Sequence, residues 1–411
     1  MDHLSKIQAR NIIESVGSSG LPPEYGFKYF TVGLEPYVNA IENEYLSSFI
    51  NEGGSSFKLV KGVYGGGKTH FLYCIRDLAW KYNFAVSYVV LSPESTPFHK
   101  LELVYKEIIN SVTLPLDDEE IISGYEKGIA ACLQKYFMKL KADIPDDVED
   151  EVSINEIITS NIDSLQLSKS ISFSKAIKAA LHSLLKNDDE SFDMICQWLN
   201  GEGYIRNIHS KFGILEKIDK TTAFKMIRSL AQMLRFMGHN GLVILFDEAE
   251  QKSSMSTKQR GALQSNLREL IDACGHTNFQ GIMIFYAVPD LSFLEGTTQV
   301  YEALKQRLAT HFDELNPMGV QVDLENSVKE PNIFLEGVGK KLSDIYQAAF
   351  DCEFEDSKIN STIKKIAEYA YSERFGDIGY KRLFVKTAIR GFNYLKAHNA
   401  IPDDSDIAPG E

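Results

Sequence analysis

Residues 62–69, Gly62-Val63-Tyr64-Gly65-Gly66-Gly67-Lys68-Thr69, fit the pattern G-x-x-x-x-G-K-[ST] in full. Glycines let a loop wrap so that its backbone N–H groups point inward at phosphate oxygens. A helix starting near Lys68 adds its N-terminal dipole. The lysine then reaches the β- and γ-phosphates, and the Thr69 hydroxyl becomes a ligand for Mg²⁺. The pattern predicts bound ATP with Mg²⁺, contacted by Gly62, Gly65, Gly66, Gly67, Lys68, Thr69 and His70.

A second constellation lies far along the chain. The apolar run Leu242–Phe246 ends in Asp247-Glu248. An uninterrupted apolar run reads as a strand buried on both faces, and such strands present functional residues at their carboxyl ends. Asp247 would hold Mg²⁺ through water, and Glu248 would orient and polarise the attacking water. An isolated strand ending in Asp-Glu carries little information, but beside the glycine loop it supplies the other half of a hydrolytic site. Glu250 and Lys252 read as solvated residues.

Supporting groups are fewer. After the next apolar run, 281–288, Tyr286 and Asp290 are the nearby polar candidates for sensing a γ-phosphate. Neither is persuasive, and Asp290 suits a turn or a helix cap. Arg307 could stabilise transition-state charge across a subunit boundary, or pair with a surface carboxylate. Arg382, starting a C-terminal helix, could touch the nucleotide as a second sensor, with Arg374 a weaker candidate. Lys305 and Lys386 read as surface residues.

These groups need elements to position them. A helix is predicted over 1–20, ending near Gly17 and Gly20, and another over Pro36–Ile50. Residues 57–112 alternate strand (57–64), helix, strand, helix, the pattern of a parallel sheet covered by helices. Residues 121–236 show helical periodicity and no convincing strand. Their acidic runs at 115–120 and 143–151 read as solvated loops or helix starts. Strands return at 241–246, 281–288 and 319–324, with helices at 258–273 and 300–312. From 332 the pattern is helical again, and 401–411 reads as a frayed tail. Lys68 and Asp247 are 179 positions apart, so a helical insertion is expected between the second strand and the strand bearing Asp247. The expected fold is α/β, a P-loop NTPase with a parallel sheet, a large α-helical insertion and a C-terminal α-helical domain. Its expected divisions are 1–56, an N-terminal helical segment; 57–115 and 239–328, the two parts of the ATPase core; 116–238, the insertion; and 329–400, the C-terminal helical domain.

Composition excludes several classes. Net charge is −14, from 43 Lys and Arg against 57 Asp and Glu. Binding nucleic acid by overall charge is therefore not expected, and direct DNA contact would need a local basic patch. Five scattered cysteines, with no CxxC pair, fit reduced thiols in the cytoplasm and argue against structural zinc. The polar N-terminus lacks a signal-peptide core, and no apolar stretch is long enough for a membrane span. The expectation is a soluble cytoplasmic protein.

Several segments together resemble a known family. YFTVGLE (29–35), FKLVKGVYGGGKTHFLY (57–73), FAVSYVVLSP (84–93), PFHKLELVYKEII (97–109), WLNGEG (198–203), LRFMGHNGLVILFDEAE (234–250) and YEALKQRL (301–308) look like the AAA+-related ATPases of bacteriophage-exclusion (BREX) defence systems. The likeness is to the BrxC/BrxD group, in particular its smaller, BrxD-type branch. It runs through most of the chain. It implies an AAA+-like P-loop NTPase with an ORC/AAA+-like core and residues 329–400 as a C-terminal α-helical lid, with Lys68, Thr69, Asp247 and Glu248 as ATPase residues and Val32 and Gly33 lining the adenine pocket. It also implies homo-oligomers with nucleotide between subunits, which adds weight to Arg307. Helicase-like or DNA-modification partners are implied too, with DNA contacted directly or through them. The chain departs from the AAA+ pattern at the first sensor, where AVPD (287–290) replaces a clear Asn or Thr. Slow or partner-stimulated turnover follows from that departure.

The main expectation is an ATP-driven switch or motor subunit of a DNA-directed defence complex. A small-molecule kinase is disfavoured, because no arginine-rich phosphate-binding segment lies near the loop and Glu248 suits water activation. A non-hydrolysing scaffold that uses ATP structurally is the remaining alternative. A DEAD-type helicase is disfavoured because residues 332–399 read as helical, leaving no second RecA-like domain.

Overall fold

The computed structural model describes residues 4–408 apart from 149, 166–167, 169, 250–254, 276–278, 293–298, 314, 327, 329 and 375–378. Helices α1 (Lys6–Ser19) and α2 (Glu35–Ile41) precede strand β1 (Ser55–Lys61). Then come α3 (Lys68–Lys81), β2 (Ala85–Val90), α4 (Leu101–Ser111) and β3 (Val112–Thr113). The helical stretch that follows holds α5 (Asp118–Ser123), α6 (Ile129–Ala142), α7 (Glu151–Ser164), α8 (Ile171–Leu185), α9 (Asp189–Leu199), α10 (Arg206–His209) and α11 (Ala223–Phe236). After it the chain runs β4 (Leu242–Asp247), α12 (Thr257–Gly275), β5 (Ile282–Val288), α13 (Gln299–Leu308) and β6 (Gln321–Asp323). It ends with α14 (Pro331–Phe350), α15 (Asp356–Ser372), α16 (Tyr380–His398) and α17 (Asp404–Ile407).

The strands form one six-stranded sheet in the order β3-β2-β4-β5-β1-β6. All neighbours pair in parallel except the short edge strand β3, which runs antiparallel to β2. Alternation of side chains explains the continuous apolar runs. Leu242, Ile244 and Phe246 of β4, with Ile282, Ile284 and Tyr286 of β5, face a core completed by α4, α8 and α11. Val243 and Leu245, with Met283, Phe285 and Ala287, face the opposite core against α3. Both faces are covered, so neither parity can be polar. One exception is Lys58 on β1, only 1% exposed. Its Nζ donates to Tyr45 Oη at 2.7 Å, Gly319 O at 2.6 Å and Pro317 O at 3.1 Å.

A separate core joins α14, α15 and α16 to α1, through Ile12, Ile13 and Val16 of α1 and Leu342, Tyr346, Ile366, Phe384 and Phe392 of the C-terminal helices. Helix α1 is thus far from α14, α15 and α16 in sequence but packed with them in one core. The acidic runs start helices: Asp117 caps α5 and Asp150 caps α7. Among the described residues no helix is long and apolar enough to cross a membrane. All five cysteines are free thiols.

Three local expectations need correction. The helix expected over Pro36–Ile50 is α-helical only to Ile41; Glu42–Phe49 is a π-helix, with Ile50 N–H donating to Tyr45 O at 2.8 Å. Over eight residues the apolar spacing does not separate the two pitches. The strand expected to continue to Tyr64 stops at Lys61, because Gly62 turns away into the loop. The helix expected to reach Phe312 stops at Leu308. Residues 310–312 instead join β6, with Phe312 N–H donating to Gln321 O at 2.9 Å.

Candidate active site

Strand parity places the acidic end of β4. Asp247 follows Val243 and Leu245 on the face covered by α3, and Thr69 sits in the first turn of that helix. Thr69 Oγ1 donates to Asp247 Oδ2 at 2.7 Å across 178 positions of sequence. Tyr88, on the same face of neighbouring β2, donates to that oxygen at 2.5 Å. Burial and the adjacent Asp247 charge push the Tyr88 phenol well above its ordinary value, so it stays protonated and donates. Asp247 is 2% exposed. Its other oxygen accepts the N–H of Glu248 at 2.8 Å.

Glu248 is exposed and holds φ +54°, a left-handed conformation that costs a non-glycine residue about 1 kcal/mol. The bond to Asp247, and Ala249 N–H on Ala287 O of β5, hold this turn in place. Glu248 therefore leaves the sheet and lines a cavity together with Asp247 and the whole stretch Tyr64–His70. Gly67 stands before α3 with φ +97°, which favours glycine. Gly66 has no room for a side chain, since a Cβ there would lie 2.8 Å from Val63 O and 2.6 Å from Glu325 Oε1. Lys68 Nζ donates to Gly62 O at 2.9 Å and Val63 O at 3.2 Å, which keeps its ammonium above the loop. Gly62 thus serves as an anchor for Lys68 and is not among the cavity's lining residues.

The cavity, of about 250 Å³, has two unlike ends. One is the polar loop. The other is apolar, walled by Leu21, Phe30 and Val32 from the N-terminal segment and Phe334, Val338 and Phe384 from the C-terminal helices. His70 joins the two. Its Nε2 lies 2.7 Å from Thr31 Oγ1, which in turn donates to Phe27 O at 3.0 Å. The imidazole fits edge-on between Phe27 and Phe30. Its packing in this apolar wall lowers its pKa to about 4, so it is neutral near pH 7. Thr31 O also accepts Lys341 Nζ of α14 at 2.6 Å. Val32 lines the cavity. Gly33 does not; with φ +73° it makes the turn beside Phe334.

The first turn of α16 rests on the glycine loop. A Cβ at Gly379 would lie 2.1 Å from Tyr64 O, so only glycine permits this approach. Arg382 lines the cavity, donating to Tyr64 Oη at 2.7 Å and twice to Ser19 O. Lys381, which the sequence reading passed over, also lines it. Its Nζ donates to Gly66 O at 3.1 Å and Leu324 O at 3.0 Å. Burial lowers its pKa, and nearby Glu325 and Asp323 oppose part of that shift. Tyr88 was missed as well, although its parity relative to the aligned β4 run is readable once the two strands are known to pair.

Other candidates lie elsewhere. Tyr286 pairs with Phe246 and shares its parity, so it points into the opposite core, away from the cavity. Asp290 accepts Ser292 N–H at 2.6 Å, a turn contact. Arg307 does not line the cavity; it grips Asp272 of α12, Nε to Oδ1 at 2.6 Å and Nη2 to Oδ2 at 3.3 Å. Arg374 is exposed against the Tyr371 ring. Lys305 is exposed, and Lys386 lays its stem against Gly20. Glu250 and Lys252 lie outside the described residues.

The loop and the strand-end acid make one wall of the cavity polar, and the N- and C-terminal segments make the other apolar. Comparison with protein families matches residues 4–408 to the family described as BREX system ATP-binding protein BrxC/D. The chain belongs to that family. Membership supports an ATP-binding component of a BREX phage-defence system, and accounts for a cavity with a phosphate-type loop at one end. No curated protein matches the chain. Among the described residues no group of three or more His, Cys, Asp or Glu could hold a metal by itself. The Thr69 hydroxyl and Asp247 carboxylate do suit a small divalent ion that takes its remaining oxygens from phosphates and water, as Mg²⁺ does.

Proposed function

We propose that the chain binds MgATP in this cavity and hydrolyses it, as an AAA+-like subunit of an antiphage complex in the BrxD-type branch. The observation that carries the reading is the Thr69–Asp247 contact at 2.7 Å, at the polar end of a cavity whose other end is apolar. The base would lie against Val32, Phe334 and Val338. The phosphates would take the N–H groups of Gly65–Thr69 and the Lys68 ammonium. Mg²⁺, when bound by Thr69 and Asp247, offsets phosphate charge. Glu248, carried to the cavity by its left-handed turn, orients and polarises the attacking water. Lys68 and Arg382 would stabilise charge on the phosphates.

In this reading residues 57–115 and 239–328 form the ATPase core, 116–238 an α-helical insertion, 329–400 a lid, and 1–56 the adenine-side wall. Lid and core meet at the cavity, so nucleotide would draw them together. Assembly as a homo-oligomer would bring Arg307 of one chain to the phosphates of the next, at the expense of its Asp272 pair. Work would be done on DNA-directed partners, helicase-like or DNA-modifying, in the cytoplasm. A second reading, a slow switch rather than a motor, draws support from Tyr286: its parity leaves β5 without a polar side chain at the γ-phosphate position.

The test is phosphate release from MgATP with no acceptor present, with and without DNA, alongside equilibrium binding of ATP. Binding with release, lost together in Lys68→Ala, is expected. ATP binding without release, with or without DNA, leaves the scaffold reading standing. Mass in solution with a non-hydrolysable ATP analogue tests assembly; a monomer throughout removes the role for Arg307.

A further inference from the structure

Glu325 sits in the turn after β6, and its carboxylate is placed where a nucleotide site has no evident use for it. Asp323 fixes that turn. Its Oδ1 accepts the N–H of Glu325 at 3.1 Å and of Asn326 at 3.3 Å, and its Oδ2 pairs with Lys61 at 2.6 Å. Lys61 lowers the Asp323 pKa against the effect of burial, so the anchor stays ionised. The result is a Glu325 Oε1 pressed against Gly66 of the phosphate loop, at the position a Gly66 Cβ would invade. That oxygen is buried and has no hydrogen-bond partner among the described residues. Its nearest countercharge is Lys381 Nζ at 3.6 Å.

Lys381 completes the geometry. It belongs to the first turn of α16, is 13% exposed at its side chain, and already donates to Gly66 O and Leu324 O. Those two carbonyls are neutral. An ammonium held by two carbonyls and one imperfectly placed carboxylate gives up little when a phosphate oxygen replaces the carboxylate, because phosphate offers a full charge-assisted bond. The lysine lines the cavity, so the exchange needs only a side-chain movement. Glu325 is then left beside a polyanion with no countercharge, and like charges at that distance repel.

On the reading that this cavity holds ATP, we infer that Glu325 and Lys381 form a latch that a bound phosphate opens, coupling the phosphate loop to the first turn of α16. Phosphate draws Lys381 away from Glu325, and the abandoned carboxylate swings toward solvent on the turn that Asp323 holds. Glu325 is a positioning residue that acts through Lys381. Its cost is weaker nucleotide binding, and its effect is that α16 registers whether the loop is filled.

The experiment is a double-mutant cycle on the full chain, with ATP and ADP affinities measured for the parent, Glu325→Gln, Lys381→Met and both together. Glu325→Gln is expected to tighten binding about tenfold, and Lys381→Met to weaken it by a similar factor. Combined with Lys381→Met, the Glu325→Gln change is expected to have less than about a twofold effect. Equal tightening in both backgrounds means that Glu325 merely repels phosphate, and overturns the latch. No tightening in either overturns it as well. Amide exchange gives a second readout should Lys381→Met fail to fold. Residues 380–384 exchange faster in Glu325→Gln than in the parent, and ATP restores their protection; an unchanged rate sinks the proposal. A parent that binds neither nucleotide removes the ATP reading itself, whereas a binding parent with an additive cycle removes the latch alone.

Discussion

The two ends of the cavity are built in opposite ways. The polar end comes mainly from one octapeptide and one strand terminus, and strand parity together with the docking of α3 brings Thr69 and Asp247 within 2.7 Å. The apolar end is gathered from Val16–Leu34, from Leu324 and Val328, and from residues scattered over α14 and α16. Charge recognition demands particular residue types at fixed spacing, because each phosphate oxygen needs a donor in place. Apolar enclosure demands only volume and shape, which many sequences supply. The first end is therefore written locally, and the second emerges from packing α1 against α14 and α16.

The contrast can be broken most severely at Asp247. Asp247→Ala strips the hydroxyls of Thr69 and Tyr88 of their shared acceptor and is expected to lower phosphate release on the order of 1,000-fold, measured in single turnover. Lys68→Ala is expected next, weakening ATP on the order of 100-fold by loss of charge-assisted bonds, with less effect on ADP and least on AMP. Such grading by phosphate number marks the polar end.

His70, at the junction, sharpens the comparison through pH. Its folded pKa of about 4 lies below the unfolded value of about 6.5. Between these values the unfolded chain binds the extra proton. Stability contributed by the neutral imidazole is thus present above about pH 6.5 and is lost as pH falls toward 4. A loss on the order of 2 kcal/mol between pH 6.5 and pH 4.5 is expected from denaturant titration, and His70→Asn removes that part of the slope. The smallest effect is at the apolar end. Phe334→Ala is expected to weaken ATP, ADP and AMP alike by about tenfold, since it removes apolar contact and no charge. A loss graded by phosphate number there would erase the distinction between the two ends.

How much of this was legible follows the same division. The octapeptide, the Asp247-Glu248 terminus and the alternation over 57–112 could be read directly, because glycine-rich loops and doubly buried strands leave local marks. Arg382 was read at the cavity while its neighbour Lys381, which reaches the loop backbone, was not. Adjacent residues on a helix differ by about 100° in direction, and which of the two faces a cavity depends on how the helix is docked. Gly379 sets that docking through its contact with Tyr64 O, a closeness no periodicity reveals. The placing of Tyr286 in the opposite core required the register of β4 with β5. Arg307 could be recognised as a helical arginine able to pair with a carboxylate, but Asp272 could not be named as that carboxylate, since only the packing of α13 against α12 brings the two together.

The central claim is that Glu248, turned out of the sheet by Asp247, activates water at a nucleotide held by the loop. The most direct test compares the parent with Glu248→Gln, measuring phosphate release and the nucleotide retained after incubation with MgATP. The account predicts that Glu248→Gln binds ATP as tightly as the parent, retains it as triphosphate, and releases phosphate about 100-fold more slowly. Equal release from both chains would contradict it.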